Sequence, residues 1–242
     1  MTCIAAVKKG GKVVIGGDSL LTTGSDKKSG VRKITKFPGC YVGFAGMYAI
    51  RHSLDNLARD EDFLSTFKMD CIEDARDLAR KVFEVLEEEM ENRDAKSDID
   101  ETALLIVTSK CIFEVDADIT CIEHDDFSAI GSGSRAAKAV IKVLERDNLT
   151  DAMETIRLAV QIATELDSFC GLPMYVYEVL DEPAAAKPKP AKAGSKPKTT
   201  RASKPRTGQG ICNIPGMPTG DSPPSNPGKG KFKLKVPKRS TK

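Results

Sequence analysis

The chain is poor in several residue types that much enzyme chemistry relies on. Its 242 residues include no tryptophan, four tyrosines, nine phenylalanines and two histidines, His52 and His124. With so few histidines no zinc-site spacing exists, and no histidine-based catalytic triad is obviously required. Seven cysteines are present: Cys3, Cys40, Cys71, Cys111, Cys121, Cys170 and Cys212. None forms a C-x-x-C pair, and an odd, scattered set fits reduced thiols better than a disulfide framework. No apolar run is long enough to span a bilayer, and the N-terminus lacks the apolar core of a signal peptide, so a cytoplasmic, non-membrane protein is expected. No phosphate-binding loop of the G-x-x-x-x-G-K-[ST] type occurs, so any ATP would be used by another chain.

Proline is scarce too, but only up to residue 182. Eleven of the thirteen prolines fall between Pro183 and Lys242. That stretch has fifteen lysines and arginines against one acid, Asp221, a net charge of about +14. Residues 1–182 carry 22 basic and 34 acidic side chains, about −12. The near-neutral total hides an acidic body and a basic tail. "PAAAKPKPAKAGSKPKTTRASKPRTG" has no apolar period and cannot bury enough surface to offset its chain entropy. We therefore read 1–182 as one folded domain and 183–242 as a tail that is disordered in isolation. Such a tail attracts polyanions, so nucleic acid or an acidic protein surface is an expected partner. Within it, "GICNIPGMP" and "FKLKVPK" are short candidates for docking on a partner.

In the body, "CIAAVKK" and "KVVIGGD" flank Gly10-Gly11, a hairpin signal. "GCYVGFAGMY" reads as a buried strand ending in glycines. Helical spacing follows, with Ala75, Leu78, Ala79, Val82, Leu86 and Met90 at three- and four-residue steps, predicting helices over about 47–60 and 72–93. "ETALLIVTSKCIFEVDADITCIE" returns to strands. "FSAIGSGS" is a strand entering a turn, where Ser134 can cap the helix "RAAKAVIKVLE". A further amphipathic helix is expected after Thr150, and "LPMYVYEVL" is a last strand. Strands and helices in segregated runs argue for α+β, with antiparallel sheets covered by helices.

The order of elements, together with "T-x-I-x-x-V-x-x-x-G-x-V-V-I-x-G-D" from Thr2 to Asp18, resembles the proteasome β-subunit family, and within it the bacterial HslV-like peptidases. "VRKI" at 31–34, "GFAG" at 43–46, "ETALLI" at 101–106 and "AIGSG" at 129–133 match segments of that family in order. "DSFCG" at 167–171 is similar to the proteasomal D-x-x-S-G, with cysteine replacing serine. The likeness spans about residues 2–180 and none of the tail. It implies a four-layer αββα sandwich of the N-terminal nucleophile hydrolases, a threonine-type endopeptidase, a homo-oligomeric ring, an unfolded polypeptide substrate and an ATP-dependent unfoldase partner.

A threonine hydroxyl is a poor nucleophile without a base within reach. A free α-amino group, with a pKa near ~7.7–8.0, is partly neutral at cellular pH. An N-terminal threonine thus carries nucleophile and base on one residue, provided Met1 is removed, and the small second residue is compatible with that removal. By the resemblance, Thr2 is the nucleophile, Lys33 sits beside its hydroxyl, and Asp18 orients the lysine. Lys28, Arg32 and Lys36 are neighbouring alternatives for the cation. Gly46 supplies the oxyanion-hole N–H, Ser132 helps to hold the amine, and Asp167 and Cys170 complete the set. The family can also bind Na+ or Mg2+ through backbone carbonyls, here those of Thr164, Asp167 and Cys170; no cofactor is otherwise required. Two other readings remain: a catalytically silent scaffold or assembly subunit working through its tail, and a small-molecule amidohydrolase of the same nucleophile class.

Overall fold

A computed structural model describes residues 2–90, 99–147 and 150–181. Met1, the end of the predicted second helix beyond Met90, Glu182 and the whole basic tail, 183–242, with both of its candidate docking segments, lie outside the described residues.

The Gly10-Gly11 signal makes a two-residue hairpin between β1 (Ile4–Lys9) and β2 (Lys12–Gly17), in register Ile4↔Gly17 to Lys9↔Lys12. Both glycines are left-handed, at φ 60° and 76°, as a tight hairpin of this twist needs. A small hairpin of β3 (Leu21–Thr23) and β4 (Asp26–Lys28) follows. Next come β5 (Ile34–Phe37), β6 (Cys40–Ala45), α1 (Ile50–Leu57), α2 (Glu61–Thr66) and α3 (Ile72–Met90). After these are β7 (Ala103–Thr108), β8 (Ile112–Asp116), β9 (Cys121–His124), β10 (Phe127–Ile130), α4 (Ser134–Asp147), α5 (Ala152–Leu166) and β11 (Tyr175–Val179).

Two antiparallel sheets stack. One has the order β10-β1-β2-β11, the other β5-β6-β7-β8-β9. Alternate side chains of each strand enter different layers. Ile4 and Ala6 of β1 join Val13, Ile15, Leu105 and Val107 between the sheets. Cys3, Ala5 and Val7 point the other way, onto Ile156, Ala159, Val160 and Ala163 of α5 and Ala137 and Ile141 of α4. From β7, Leu104 and Ile106 meet Leu78, Val82 and Leu86 of α3 and Leu54 of α1. Three apolar layers separate four layers of structure, which is the αββα sandwich. Central strands buried on both faces read as continuous apolar runs, which is why "CIAAV" and "ALLIV" show no alternation.

Two local expectations are corrected, and one is sharpened. The helix predicted over 47–60 is an eight-residue α1, because residues 46–49 form the turn that leaves β6; a separate α2 then starts where the Asp60 carboxylate accepts the Phe63 N–H. Ser134 is the first residue of α4 rather than its cap, since the preceding turn is closed by Ser134 N–H donating to the Gly131 carbonyl at 3.1 Å. The helix after Thr150 is capped by Asp151, whose side chain accepts the Glu154 N–H at 2.8 Å.

Candidate active site

The site lies where the start of β1, the end of β2, the segment before β5 and the end of β6 converge. Thr2 and Asp18 sit just outside paired ends of the first hairpin, and Asp18 N–H donates to the Cys3 carbonyl at 3.0 Å. Lys33 enters from the other sheet. The chain there alternates, Val31 and Lys33 inward and Arg32 outward, and Lys33 carbonyl accepts the Phe44 N–H at 3.1 Å.

Lys33 Nζ donates to Thr2 Oγ1 at 2.8 Å and to Asp18 Oδ1 at 2.9 Å. All three residues are buried, at 3%, 1% and 3% exposure for Thr2, Asp18 and Lys33. The other basic side chains of this region are elsewhere. Lys28 is exposed on β4, Arg32 lies over the Tyr175 ring, and exposed Lys36 reaches towards Tyr41.

Asp18 is held by four donors. Its Oδ1 accepts Cys3 N–H at 3.0 Å as well as Lys33, while Oδ2 accepts Leu20 N–H at 3.0 Å and Gly171 N–H at 3.1 Å. The Gly171 contact ties the end of β2 to the loop after α5, and Ser19 N–H returns a bond to the Gly171 carbonyl.

A second chain of contacts approaches the Thr2 nitrogen. Thr2 N–H donates to Ser132 Oγ at 3.3 Å, and Ser132 is hydrogen-bonded to Asp167. Cys170 Sγ donates to Asp167 Oδ2 at 3.3 Å, so cysteine occupies the serine position of the family pattern as a weak donor. Burial alone would push the Asp167 carboxyl up. Hydrogen bonds from Ser132, the Phe169 N–H and Cys170 outweigh it and hold the group below the usual carboxylate range. The Cys170 thiol is pushed up to about 12, first by burial and then by the negative charge of Asp18 and Asp167. Cys3 is raised by burial in the same way. Both sulfurs are neutral packing groups here, not nucleophiles.

Gly46 follows the last residue of β6 with φ 112°. Its neighbour Ala45 approaches Thr2 across Gly131: a Cβ on Gly131 would overlap the Thr2 carbonyl and lie 3.2 Å from Ala45 Cβ. The "GSG" turn therefore wraps the Thr2 backbone, and Gly133 N–H donates to the Thr2 carbonyl at 3.1 Å. Thr164, Asp167 and Cys170 lie along the end of α5 and the turn after it, where the Asp167 carbonyl accepts the Cys170 N–H at 3.0 Å. Among the described residues no cluster of three or more His, Cys, Asp or Glu side chains is arranged to hold a metal, a search that says nothing of backbone carbonyls.

Several contributors escaped the sequence reading. The N–H groups of Cys3, Leu20 and Gly171 are backbone donors and leave no residue-type signature. Arg51 is another: its Nη1 donates to the carbonyls of Arg32 and Ile34, at 3.1 and 3.3 Å, on both sides of Lys33. The sequence signal that could have found it is Asp55, four residues on in the same helix and paired with it at 2.8 Å.

Comparison with known proteins identifies the family of the chain. The family described as Proteasome subunit matches residues 1–179. The ATP-dependent protease subunit HslV of Trypanosoma brucei brucei (strain 927/4 GUTat10.1) is 31% identical over 173 residues, covering 69% of this chain and 78% of that protein. The same-named protein of Caldicellulosiruptor saccharolyticus (strain ATCC 43494 / DSM 8903 / Tp8T 6331) is 29% identical over 170 residues, covering 68% and 90%. Among solved structures, Thiobacillus denitrificans BPH has a TM-score of 0.66 at 25% identity, covering 75% of this chain and 99% of that one. Eukaryotic HslV from Trypanosoma brucei has a TM-score of 0.55 at 27% identity, covering 73% and 98%. With Thr2, Asp18 and Lys33 joined at the mouth of an αββα sandwich and the family match spanning the body, the chain belongs to the proteasome β-subunit and HslV-like family of N-terminal nucleophile hydrolases.

Proposed function

We propose that this protein is a threonine endopeptidase subunit whose nucleophile is Thr2, exposed by removal of Met1. The observation that carries this reading is the buried Thr2–Lys33–Asp18 chain, with Lys33 Nζ 2.8 Å from the hydroxyl that would attack.

While Met1 is attached, the Thr2 nitrogen is an amide and cannot act as a base. Its release creates an α-amine next to Ser132. In its neutral form that amine takes the proton from Thr2 Oγ1 as the oxygen attacks a peptide carbonyl. Lys33 stabilises the negative charge building on Oγ1, and Asp18 fixes the lysine's direction. The Gly46 N–H receives the oxyanion of the tetrahedral intermediate. The protonated amine then donates to the departing amine of the substrate, leaving an ester on Thr2. Water, deprotonated by the same amine, cleaves that ester and restores the site. Ser132, backed by Asp167 and Cys170, keeps the amine in place. A Na+ or Mg2+ ion on the carbonyls of Thr164, Asp167 and Cys170 would stiffen that backing; no proton or bond transfer is assigned to it.

The two curated relatives are named as subunits of ATP-dependent proteases. That likeness supports a self-assembled ring, an unfolded polypeptide substrate and a separate ATP-driven unfoldase, in keeping with the missing phosphate-binding loop. A cytoplasmic location fits the free cysteines among the described residues.

The test couples mass to activity. Intact-mass measurement should show a chain lighter by one methionine. Thr2→Ala should abolish hydrolysis of an unfolded protein or fluorogenic peptide while melting within a few degrees of wild type. Undiminished turnover by Thr2→Ala removes the proposal, and retention of Met1 on the whole population turns the reading to a silent scaffold subunit.

A further inference from the structure

The β6–β7 ladder ends at the pair Ala45↔Ala103. One step beyond, Gly46 and Thr102 face each other where the next rung would be, and the side chain of Thr102 replaces the backbone there. Its Oγ1 accepts the Met47 N–H at 3.2 Å. Thr102 is 1% exposed, and its own N–H is anchored on the Ile99 carbonyl at 2.9 Å. The contact with Gly46 is closer than any side chain there would allow. A Cβ on Gly46 would lie 2.6 Å from both Cα and Oγ1 of Thr102, and 2.9 Å from the Glu101 carbonyl.

These contacts act on the dihedrals of Gly46. Glycine has a wide range of accessible φ and ψ, and φ 112° is a value that only such freedom readily permits. The bond to Met47 N–H fixes the peptide plane on one side of Gly46. The ladder pair at Ala45 fixes the chain on the other. The Gly46 N–H, in the peptide between Ala45 and Gly46, thus lies between two fixed points, the ladder pair before it and the Thr102 contacts after it. An oxyanion donor has to be set before reaction, because reorienting it during the step would cost the stabilisation it supplies.

We propose that Thr102 is a positioning residue for the oxyanion hole, holding the Gly46–Met47 peptide and crowding the Gly46 Cα so that the Gly46 N–H, carried by the preceding Ala45–Gly46 peptide, points to the substrate oxygen. This deepens, and rests on, the reading of Thr2 as nucleophile. Thr102 touches neither substrate nor the reacting atoms. Its hydroxyl works through the Met47 amide.

The experiment uses the full-length, Met1-free protein, with Thr102→Val as the near-isosteric variant lacking the hydroxyl and Thr102→Ser as the one keeping it. Displacing a catalytic group by about an ångström is worth up to ~100-fold in rate. Thr102→Val should lower kcat about 10- to 100-fold with KM changed less than about 2-fold, because the hole binds the transition state and not the ground state. Affinity for a peptide boronate, which forms a tetrahedral adduct with a threonine hydroxyl, should fall by the same factor as kcat/KM. Thr102→Ser should recover most of both. Unchanged kcat in Thr102→Val, a loss confined to KM, or a Thr102→Ser protein no better than valine overturns the inference. Should Thr102→Val not fold, Thr102→Cys keeps the volume with a poorer acceptor; a reduced kcat supports the inference and a wild-type kcat overturns it. A dead Thr2→Ala beside a fully active Thr102→Val sinks this inference alone, whereas a Met1-free wild type without turnover sinks both.

Discussion

Lys33 Nζ is buried and donates to Asp18 Oδ1 and Thr2 Oγ1, at 2.9 and 2.8 Å. A buried ion pair gains little net stability, but losing one partner leaves the other uncompensated, at about 3–5 kcal/mol. Lys33→Ala should nevertheless fold, at reduced stability, since Asp18 keeps three backbone donors once the cation is gone. Its rate should drop by several orders of magnitude, because one such group acting on developing charge is commonly worth about 3–4 kcal/mol. Lys36→Ala, at an exposed position, should stay near wild type. Asp18→Asn differs in kind. All four contacts to Asp18 are donors, and an amide can accept on only one of its two ends. The variant strands Lys33 and turns an NH2 towards N–H groups, so its melting temperature should fall together with its rate. Kinetics and thermal melts on the three variants check this, and a rate loss in Lys36→Ala matching that of Lys33→Ala would contradict it. The sequence already put Thr2, Asp18 and Lys33 in one set through motif order. It favoured Lys33 but left its basic neighbours open, since the register depends on one inward step in an irregular segment, and it could not show the backbone donors.

At the scale of elements, long patterns were legible and short ones were not. The first hairpin announced itself through Gly10-Gly11, and α3 through Ala75, Leu78, Ala79, Val82 and Leu86 on one buried face. By contrast β3 and β4 are three residues each, "LTT" and "DKK", too short and too polar to carry a period. The four residues of β5 exist as a strand because β6 pairs with them, from Ile34↔Gly43 to Phe37↔Cys40. Helix α2 has six residues and no fully buried side chain, so its start depends on the Asp60 cap. Helix α1 is the informative case. Its sequence shows an amphipathic segment, while its site role is the Arg51 fork on the carbonyls flanking Lys33, itself held by Asp55 at 2.8 Å. Hydrogen bonds from a charged donor are worth about 1.5–3 kcal/mol each at most. Arg51→Met should keep the apolar stem of the side chain but free the 32–34 segment. We expect a drop in kcat of about tenfold, smaller than for Lys33→Ala, and a modest fall in melting temperature. A variant with wild-type kcat would show that β5 pairing alone suffices to place Lys33.

For the whole molecule, charge separates along the chain. All three apolar layers are built from residues between Cys3 and Val179, and the family match ends at residue 179. No helix among the described residues is long and apolar enough to cross a membrane. The segment after Glu182 adds fifteen basic side chains, one acid, one aromatic (Phe232) and no extended apolar period. We therefore propose that the body assembles and the tail binds polyanions. Lysines spaced by proline and alanine can neutralise phosphates, but a single phenylalanine offers no stacking platform for bases, so binding should lack sequence preference. The comparison is between the full chain and residues 1–182. Light scattering should give the same number of subunits for both, and a monomeric 1–182 would assign assembly to the tail. Random-sequence DNA should bind only the full chain. If the tail neutralises six or more phosphates, affinity should fall by about 10³-fold or more between 50 and 200 mM salt. Equal DNA binding by 1–182 would place the polyanion site on the acidic body, against its charge. No binding by either at low salt, with tight docking of the full chain to one protein, would make the tail a protein-docking arm.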